Sequence, residues 1–542
     1  MSSYDYVIVG AGSAGCLLAN RLSADGSTVL LLEAGGSDRR PEVKVPAAFP
    51  NQFQTGIDWN YMSEPEPGLF GRRLYLPRGK MIGGSSSMNA MLYVRGNRAD
   101  YDAWESEFGA SGWRYDQVLP YFKRHEANAE LSDDYHGTAG ELQVTRRRWL
   151  SPHWQKFIDA AGAIGIDENP DYNGGSQDGA SLFQTTTRGG RRWSAADAFL
   201  RPALKRDHLE LVSKALVHRV VLQNGRAVGV DYEHGGSRAT ARAEREVVVC
   251  AGAYGSPQLL MLSGIGPASH LRDVGIEPLV DSPNVGRHLQ EHPVVFCNWH
   301  SNDPATLDDA TRPRYLVQWL ATRRGKLSST VAEAVIHWRS EASRQAPDFQ
   351  IYFGPVYFWE HGFRKTGTPA ITLAAALQAP ESRGEVRLRS ARAAEHPRIL
   401  NNLLSQDSEI DAMLRALDLI AELARKRPLA GLLGEQLNPG ATVRSRQERI
   451  AWLRATAEHF YHPACSCRIG SREEGVVDSE LRVHGVDGLR VADASVMPRV
   501  TSGNTNAPTY MIAERCAAMM LEQAAGGPKA PAVPAAMSHA SA

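Results

Sequence analysis

The apolar pattern at the start of the chain predicts a strand, a tight turn, a helix and a second strand. Apolar residues occupy positions 6–9, glycines stand at Gly10, Gly12 and Gly15, and an Ala/Leu-rich run covers residues 16–22. A second apolar run at residues 28–32 ends on Glu33. The two apolar runs are typical of buried parallel strands, and the segment between them is typical of a crossover helix. The order of strand, helix and strand predicts a βαβ unit.

The glycine spacing in this unit indicates a dinucleotide site. Gly10 permits the tight turn, Gly12 lets the backbone approach a pyrophosphate, and Gly15 lets the helix pack on the strand. The free N–H groups at the helix start favour phosphates, and Glu33 is placed to accept hydrogen bonds from a ribose. The alternative is an ordinary glycine-rich turn, but the strands, helix and terminal acid all stand in register, and we predict a bound dinucleotide.

Later patterns indicate that the same sheet continues far along the chain. Residues 210–232 contain two β-branched runs around Asn224-Gly225, which predicts a hairpin. Residues 246–251 predict a buried strand followed by a helical run at 256–262. Residues 407–427 place apolar groups on one helical face, and residues 489–495 predict a strand that leads to a helix at 509–521. The last strand suits closure of the first sheet, so we expect a discontinuous cofactor domain with an inserted second domain.

Composition narrows the class of protein. The 542 residues exceed one core and predict at least two domains. Sixty basic residues balance sixty acidic ones, which gives no reason to expect a nucleic-acid partner. No apolar run reaches 18 residues, so we expect a cytoplasmic protein without a transmembrane segment and leave peripheral membrane association open.

The six cysteines are scattered, and Cys465 and Cys467 beside His462 lack a second ligand cluster, so we predict no metal site. Residues 526–542 predict a disordered tail.

Four further segments carry a resemblance to a known family. They are Arg78-Gly-Lys-Met-Ile-Gly-Gly-Ser-Ser-Ser-Met-Asn-Ala-Met-Leu-Tyr-Val-Arg-Gly96, Gly252-Ala-Tyr-Gly-Ser-Pro-Gln-Leu-Leu-Met-Leu-Ser-Gly-Ile-Gly266, Tyr461-His-Pro-Ala-Cys-Ser-Cys-Arg-Ile-Gly470 and Gly503-Asn-Thr-Asn-Ala-Pro-Thr509. Together with the N-terminal unit, they resemble the glucose–methanol–choline (GMC) flavoprotein oxidoreductases. Within that family the chain is most similar to bacterial FAD-dependent alcohol dehydrogenases and choline dehydrogenases.

The resemblance implies an α/β fold, α+β overall. It combines a Rossmann-like FAD-binding domain (residues 1–150, 205–295 and 475–525) with a substrate-binding domain on an antiparallel sheet flanked by helices (151–204 and 296–474). It also implies an FAD site. The residues expected to bind FAD are Gly10, Gly12, Ser13, Ala14, Gly15, Glu33, Ala34, Arg78, Gly83, Gly84, Ser85, Asn89, Ala90, Met91, Leu92, Val217, Ala251, Gly252, Asp493, Ala494, Asn504 and Thr505.

The resemblance also assigns catalytic residues. Residue type alone favours a hydrogen-bonded core histidine at His462 and a turn-forming residue at Asn506. By resemblance His462 is the proton acceptor, a role that a neutral imidazole suits, and Asn506 holds the substrate oxygen. Some relatives carry a histidine that is covalently joined to the flavin. Met88 stands at the matching position here, so we predict noncovalent FAD.

The expected activity is oxidation of a primary alcohol to an aldehyde with hydride transfer to flavin N5. The electron acceptor is expected to be a quinone-type compound or O₂, and the resemblance favours a dehydrogenase over an oxidase. Residues 350–361 contain five aromatic residues that either pack a core or form a pocket wall, where an apolar alcohol or a quaternary ammonium would bind. The alternatives are a choline-type or polyether alcohol dehydrogenase, an O₂-using alcohol oxidase, a lyase or decarboxylase on the same fold, and a NAD(P)-binding regulator. The sequence gives no signal for the oligomeric state.

Overall fold

The computed structural model describes residues 2–145 and 149–526 and contains two seven-stranded sheets. The predicted tail lies outside the described residues except for Gly526. In chain order the strands of the two sheets are β1 (Ser2–Val9), β2 (Val29–Glu33), β3 (Gly179–Leu182), β4 (Leu209–Ser213), β5 (Ala215–Gln223), β6 (Arg226–His234), β7 (Ser237–Val249), β8 (Pro293–Ser301), β9 (Ala334–Trp338), β10 (Phe349–Gly354), β11 (Ala370–Leu377), β12 (Leu433–Asn438), β13 (Glu458–His459) and β14 (Leu489–Val491).

Helices surround both sheets. The longer ones are α1 (Ser13–Ser23), α2 (Arg98–Phe108), α3 (Tyr115–His125), α4 (Trp154–Gly162), α5 (Gly252–Leu262), α6 (Pro313–Thr322), α7 (Asp407–Arg425), α8 (Arg446–Thr456) and α9 (Asn506–Ala524). Short α-helices are Pro41–Lys44, Arg201–Ala203, Ala268–Asp273 and Leu429–Leu432, and small strand pairs join Tyr61–Met62 to Tyr75–Leu76, Glu126–Asn128 to Leu142–Val144, Thr187–Arg188 to Arg191–Arg192, Ile265–Gly266 to Val280–Asp281, and Glu385–Arg387 to Arg398–Leu400.

The first sheet contains the predicted βαβ unit. Its strands follow the order β4-β2-β1-β7-β6-β5, with β14 paired to β7. Strand β1 runs parallel to both β2 and β7, as a crossover through α1 requires. All five residues of β2 are buried, because helices or loops cover both faces of the sheet at its centre. The N-terminal expectation is therefore confirmed.

Two later expectations for this sheet are also confirmed. Strands β5 and β6 form the predicted antiparallel hairpin, and its turn residues Asn224 and Gly225 both have positive φ. Strand β14 pairs in parallel with β7 some 480 residues after β1, as its position near the carboxyl end predicted. Helix α9 follows β14 and packs against α1.

The second sheet is antiparallel. Its strands follow the order β12-β8-β11-β10-β9-β3, and β13 pairs with β8. Helix α7 packs on β11 and buries the apolar face that the periodicity predicted, including Ile410, Met413 and Leu417. A mixed α/β fold with an antiparallel second sheet flanked by helices is thus confirmed.

The two sheets draw on different parts of the chain. Strands of the first sheet come from residues 2–33, 209–249 and 489–491, and those of the second from 179–182, 293–377 and 433–459. This distribution fits a discontinuous first domain with a second domain inserted. The predicted domain limits themselves stay a prediction.

Candidate active site

A deep cavity lies between the two sheets. Residues from both contribute to its wall, among them Val9 and Val217 from the first sheet and Phe296, Tyr352 and Ala374 from the second. Helices α1, α5 and α9 all begin at this wall. The first N–H groups of a helix have no acceptor within the helix, and the positive end of its dipole lies there, so the cavity is suited to an anionic ligand at these helix starts. At α5 the N–H of Gly252 already donates to Asp493.

The βαβ unit forms one end of the cavity. A Cβ atom added at Gly15 would lie 1.9 Å from the carbonyl oxygen of Gly10, so α1 approaches the turn more closely than any other residue would allow. Helix α1 has no side-chain cap, which leaves its first N–H groups directed at the cavity. The residues present therefore fit the pyrophosphate of a dinucleotide.

Glu33 lies at the end of β2 in the same wall. Its carboxylate accepts hydrogen bonds from the backbone N–H of Ala11 (2.9 Å) and of Gly35 (2.7 Å). Burial raises the pKa of Glu33 to about 7. The carboxylate keeps lone pairs for a ribose diol, which fits the role expected from its position.

The segment after Arg78 covers the middle of the cavity. A Cβ atom added at Gly84 would lie 2.7 Å from Cα of Gly12, so this loop rests directly on the glycine turn. Asn89 fixes the next part of the loop, because its Oδ1 accepts hydrogen bonds from the Met91 N–H (3.0 Å) and from Arg192 (2.7 Å). Asn89 to Leu92 then lie along the wall.

The structure brings together nearly all of the predicted site residues. Of the residues expected to bind FAD, those that line the cavity are Gly10, Gly12, Ser13, Ala14, Glu33, Ala34, Arg78, Gly84, Ser85, Asn89, Ala90, Met91, Leu92, Val217, Ala251, Gly252, Asp493, Ala494, Asn504 and Thr505. Gly15 and Gly83 do not line it. Gly15 packs the helix on the turn, and Gly83 packs against Ser87, so both support the wall from behind.

His462 lies in the wall between the glycine loops and the second sheet. It is 7% exposed. Its backbone N–H donates to Oε1 of Glu291 at 2.8 Å. The preceding residue, Tyr461, adopts a left-handed conformation with φ of +67°, and Arg78 donates to its carbonyl oxygen at 2.7 Å. A strained residue held in this way fixes the direction of the next side chain.

Both ring nitrogens of His462 have partners. Nε2 lies 2.9 Å from Nδ2 of Asn504, and Nδ1 lies 3.0 Å from Nδ1 of His292. An amide NH₂ group donates, so Nε2 carries the lone pair and Nδ1–H donates to His292. Burial, and then His292 and Arg78, hold the pKa of His462 well below its ordinary value. The ring is therefore neutral, with its basic nitrogen directed at Asn504.

The structure places Asn504 rather than Asn506 beside His462. Asn506 is the first residue of α9, and its Oδ1 accepts a hydrogen bond from Oγ of Ser13 at 2.8 Å. Its side chain therefore joins the starts of α9 and α1 at the phosphate end of the cavity. Asn504 is the asparagine that contacts Nε2 of His462, and its amide also lies 3.4 Å from the Tyr352 hydroxyl. The catalytic role expected for Asn506, which also lines the cavity, stays a prediction.

The aromatic residues of segment 350–361 divide between the cavity and the core. Tyr352 and Phe358 line the cavity together with Phe296 and Phe460. Phe353 points the other way and stacks on Phe157, with ring centroids 5.4 Å apart. Alternate residues of a strand face opposite sides, so both interpretations of the segment hold in part.

Two residues at this site were not found from the sequence. His292 is fully buried beside His462, and burial lowers its pKa to about 4. The carboxylate of Glu291 accepts both the His292 N–H (2.9 Å) and the His462 N–H. These residues precede β8 and stand about 170 positions from His462, so no local spacing connects them. The one available signal is the polar run Gln290-Glu-His292 directly before a buried strand.

One cluster outside the cavity has the composition of a metal site. Ligand atoms of Asp133, His136 and Asp171 lie within 4.8 Å of one another. His136, however, contacts Glu126 through Nδ1 (3.1 Å) and Asp171 through Nε2 (2.9 Å). Although burial opposes protonation, these hydrogen bonds raise the pKa of His136 to about 9. A protonated imidazole has no lone pair for a metal, so the cluster is an ion-pair network.

Comparison with known proteins identifies the class to which the fold and the cavity belong. The two family models described as GMC oxidoreductase match residues 4–294 and 380–513. The chain belongs to the GMC oxidoreductase family, and it is an FAD-dependent oxidoreductase of alcohol groups. It is 42% identical to the oxygen-dependent choline dehydrogenase of Sinorhizobium medicae over 95% of this chain and 94% of that protein.

Solved structures agree with this assignment. Pyridoxine 4-oxidase from Mesorbium loti is 31% identical, with a TM-score of 0.88 over 95% of this chain and 98% of that one. A formate oxidase variant from Aspergillus oryzae is 27% identical, with a TM-score of 0.91 over 96% of this chain and 98% of that one. In the part of the chain described here, no helix combines the length and the apolar character that crossing a bilayer requires.

Proposed function

We propose that this protein oxidises a primary alcohol to an aldehyde, with Nε2 of His462 accepting the hydroxyl proton. The observation that carries the proposal is the pairing of a neutral, buried His462 with the Asn504 amide at 2.9 Å in the cavity wall. A substrate hydroxyl would replace this direct hydrogen bond and contact both groups at once. Its oxygen then accepts a hydrogen bond from Asn504, and its proton is donated to Nε2.

His292 and Glu291 are positioning residues on this proposal. His292 accepts a hydrogen bond from Nδ1–H of His462, which keeps Nε2 of His462 unprotonated and directed at the substrate. Glu291 binds the backbone N–H groups of both histidines and fixes their separation. When proton transfer makes His462 cationic, the Glu291 carboxylate is close enough to stabilise the charge.

Bound FAD would supply the hydride acceptor, flavin N5. The glycine turn, the α1 start and Glu33 would hold its adenosine half, while Asn89 to Leu92 and His462 would flank the flavin. We propose that the cofactor is noncovalent. Met88 lines the cavity where some relatives carry the linking histidine, and its thioether cannot form that bond.

We propose an uncharged, apolar alcohol as the substrate. Phe296, Tyr352, Phe358 and Phe460 form the wall on the side of the second sheet. The only carboxylates among the described residues that line the cavity are Glu33, at the end of β2, and Asp493, two residues after β14, and both accept backbone N–H groups. An apolar wall without a counter-charge favours a neutral substrate, since burying an unpaired cation is costly.

Choline is the second candidate, because aromatic faces can bind a quaternary ammonium and the relatives include choline dehydrogenases. We propose a dehydrogenase that passes electrons to a quinone-type acceptor, with O₂ as the other candidate acceptor. Turnover of one alcohol with O₂ and with a quinone dye separates the two.

Anaerobic bleaching of the flavin by a panel of alcohols tests the proposal. The panel contains a medium-chain alkanol, benzyl alcohol, a polyethylene glycol and choline. The His462→Ala variant should bleach on the order of 100-fold more slowly than the wild type, because it lacks the proton acceptor. His288→Ala, which removes a histidine outside the cavity wall, should bleach at the wild-type rate.

Flavin content controls for cofactor loss. Acid precipitation should release equal amounts of FAD from both variants and from the wild type, and flavin retained in the pellet would contradict noncovalent binding. If His462→Ala bleaches at a near-normal rate, His462 is not the proton acceptor. If choline bleaches the flavin faster than the uncharged alcohols do, the substrate assignment is wrong.

A further inference from the structure

Helix α6 presents apolar side chains to solvent. Leu316, Val317 and Leu320 are 47%, 65% and 55% exposed. At 3.6 residues per turn, these positions and Pro313 fall within an arc of about 100°. They therefore form one continuous apolar face on a single helix.

The opposite side of α6 is anchored to the protein. Trp319 is 4% exposed, and its Nε1–H donates to the carbonyl oxygen of Gly190 at 2.9 Å. The Tyr315 hydroxyl donates to Asp309 at 3.0 Å, and the guanidinium of Arg323 lies 4.1 Å from the centre of the Trp319 ring. Because these contacts fix the rotation of the helix, the apolar face cannot turn inward without breaking them.

Basic residues flank the apolar face. Residues 308–326 hold five basic side chains and two acidic ones, a net charge of +3, in a chain whose net charge is zero. One of the acids, Asp308, is directed inward and accepts the N–H groups of Tyr357 and Ala370. The basic side chains are Arg312, Arg314, Arg323, Arg324 and Lys326. Asp309 forms ion pairs with the largely buried Lys326 and with the exposed Arg312 (3.5 Å) and Arg314 (3.3 Å), so one carboxylate is shared among three cations.

We propose that α6 docks this protein on an anionic lipid bilayer, with the helix parallel to the membrane surface. An exposed apolar face rimmed by arginines is the arrangement that lies in the headgroup region of such bilayers. A second copy of the chain is a poorer occupant. A two-fold contact through α6 would bring two clusters of net charge +3 together.

Docking would place the cavity close to lipid. The turn that follows α6 (Lys326–Ser328) packs against the 3₁₀ turn Pro46–Gln52, which carries the cavity residue Phe49, and Thr330 to Ala332 then enter the cavity wall. Lipid-soluble alcohols and quinones concentrate at the bilayer, so the surface would increase their access to the site.

Vesicle flotation with the full-length, FAD-loaded protein tests the proposal. The wild type should float with vesicles of equal parts phosphatidylglycerol and phosphatidylcholine at low salt. It should bind less to phosphatidylcholine alone and less at high salt. The combined changes Leu316→Ser, Val317→Ser and Leu320→Ser should weaken binding by at least about 10-fold. Each of Arg312→Gln, Arg314→Gln and Arg324→Gln should weaken it about fivefold.

Leu279→Ser is the matched control, since Leu279 is 59% exposed on a different part of the surface. It should float like the wild type. FAD content and the thermal midpoint of each variant show that the fold is retained. Absence of vesicle binding by the wild type at low salt would overturn the proposal, as would binding that the α6 changes do not affect. A concentration-dependent dimer without lipid that the α6 serine changes abolish would also overturn it, because the face would then join two copies.

Discussion

Asn504 and Asn506 are separated by one residue, yet they face different parts of the cavity. Asn504 contacts the base nitrogen of His462, whereas Asn506 contacts Ser13 at the start of α1. The resemblance gives the role of holding the substrate oxygen to Asn506, whereas the contact with His462 leads us to propose Asn504 for that role. Pro508 is the sequence signal for the different positions of the two asparagines. A proline in the first turn indicates that the helix has already begun at Asn506, which leaves Asn504 in the loop.

Exchange of each asparagine separates the two roles. Asn504→Ala should slow anaerobic flavin bleaching by about 100-fold, because it removes the amide that holds the substrate oxygen. Asn506→Ala should bleach at close to the wild-type rate once FAD is saturating, and its defect should appear as weaker FAD binding. The opposite result, slow bleaching in FAD-saturated Asn506→Ala and a normal rate in Asn504→Ala, would contradict our proposal and support the role that the resemblance gives to Asn506.

At the scale of the elements, the sequence predicted the parts whose pattern is local. The first strand, turn and helix, the hairpin at Asn224-Gly225 and the helix Asp407–Arg425 all follow from spacing over fewer than 30 residues. Contacts such as His292 with His462 depend on how distant segments pack, and no spacing rule reports them. The aromatic residues of β10 could be predicted only in part. Strand alternation shows that Tyr352 and Phe353 face opposite sides of the sheet, but it does not show which side faces the cavity.

Gly15→Ala tests the packing of α1 on the turn. The added methyl group would lie 1.9 Å from the Gly10 carbonyl oxygen, so α1 must move away and withdraw its N–H groups from the phosphates. We expect a loss of about 1–3 kcal/mol of stability and at least a tenfold weaker FAD affinity, measured by thermal unfolding and by titration of FAD-depleted protein. Gly162→Ala is the control, because an added Cβ there meets no atom within 4 Å. Equal FAD affinity in both variants would contradict this account.

At the scale of the whole molecule, the two sheets contribute different kinds of residue to the cavity wall. The first sheet supplies helix starts and a carboxylate for a polar cofactor, and the second supplies aromatic side chains for a substrate. His462, Asn504 and Arg78 belong to loops that lie where the two meet. The chemistry therefore depends on burial as well as on residue type, since burial keeps His462 neutral and dry.

The same burial makes the fold sensitive to acid. Several histidines are neutral because burial lowers the pKa of each to between about 3 and 4; they are His125, His292, His337 and His361. The ordinary pKa of histidine is near 6.5, so below that pH these histidines are protonated in the unfolded chain and remain neutral in the folded one. The free energy of unfolding therefore decreases as the pH falls. Glu33 and Glu458, whose pKa burial raises to about 7, act in the opposite direction and offset part of the effect.

His337→Gln isolates one of these histidines. The thermal midpoint of the holoenzyme, followed by tryptophan fluorescence, should decrease between pH 6.5 and 4.5 in the wild type. In the variant the decrease should be smaller, because one buried proton acceptor has been removed, with a difference of up to about 1.4 kcal/mol per pH unit. His234→Gln, a change at an exposed histidine, should leave the pH dependence unchanged. If the three proteins lose stability equally, the acid sensitivity does not arise from buried histidines.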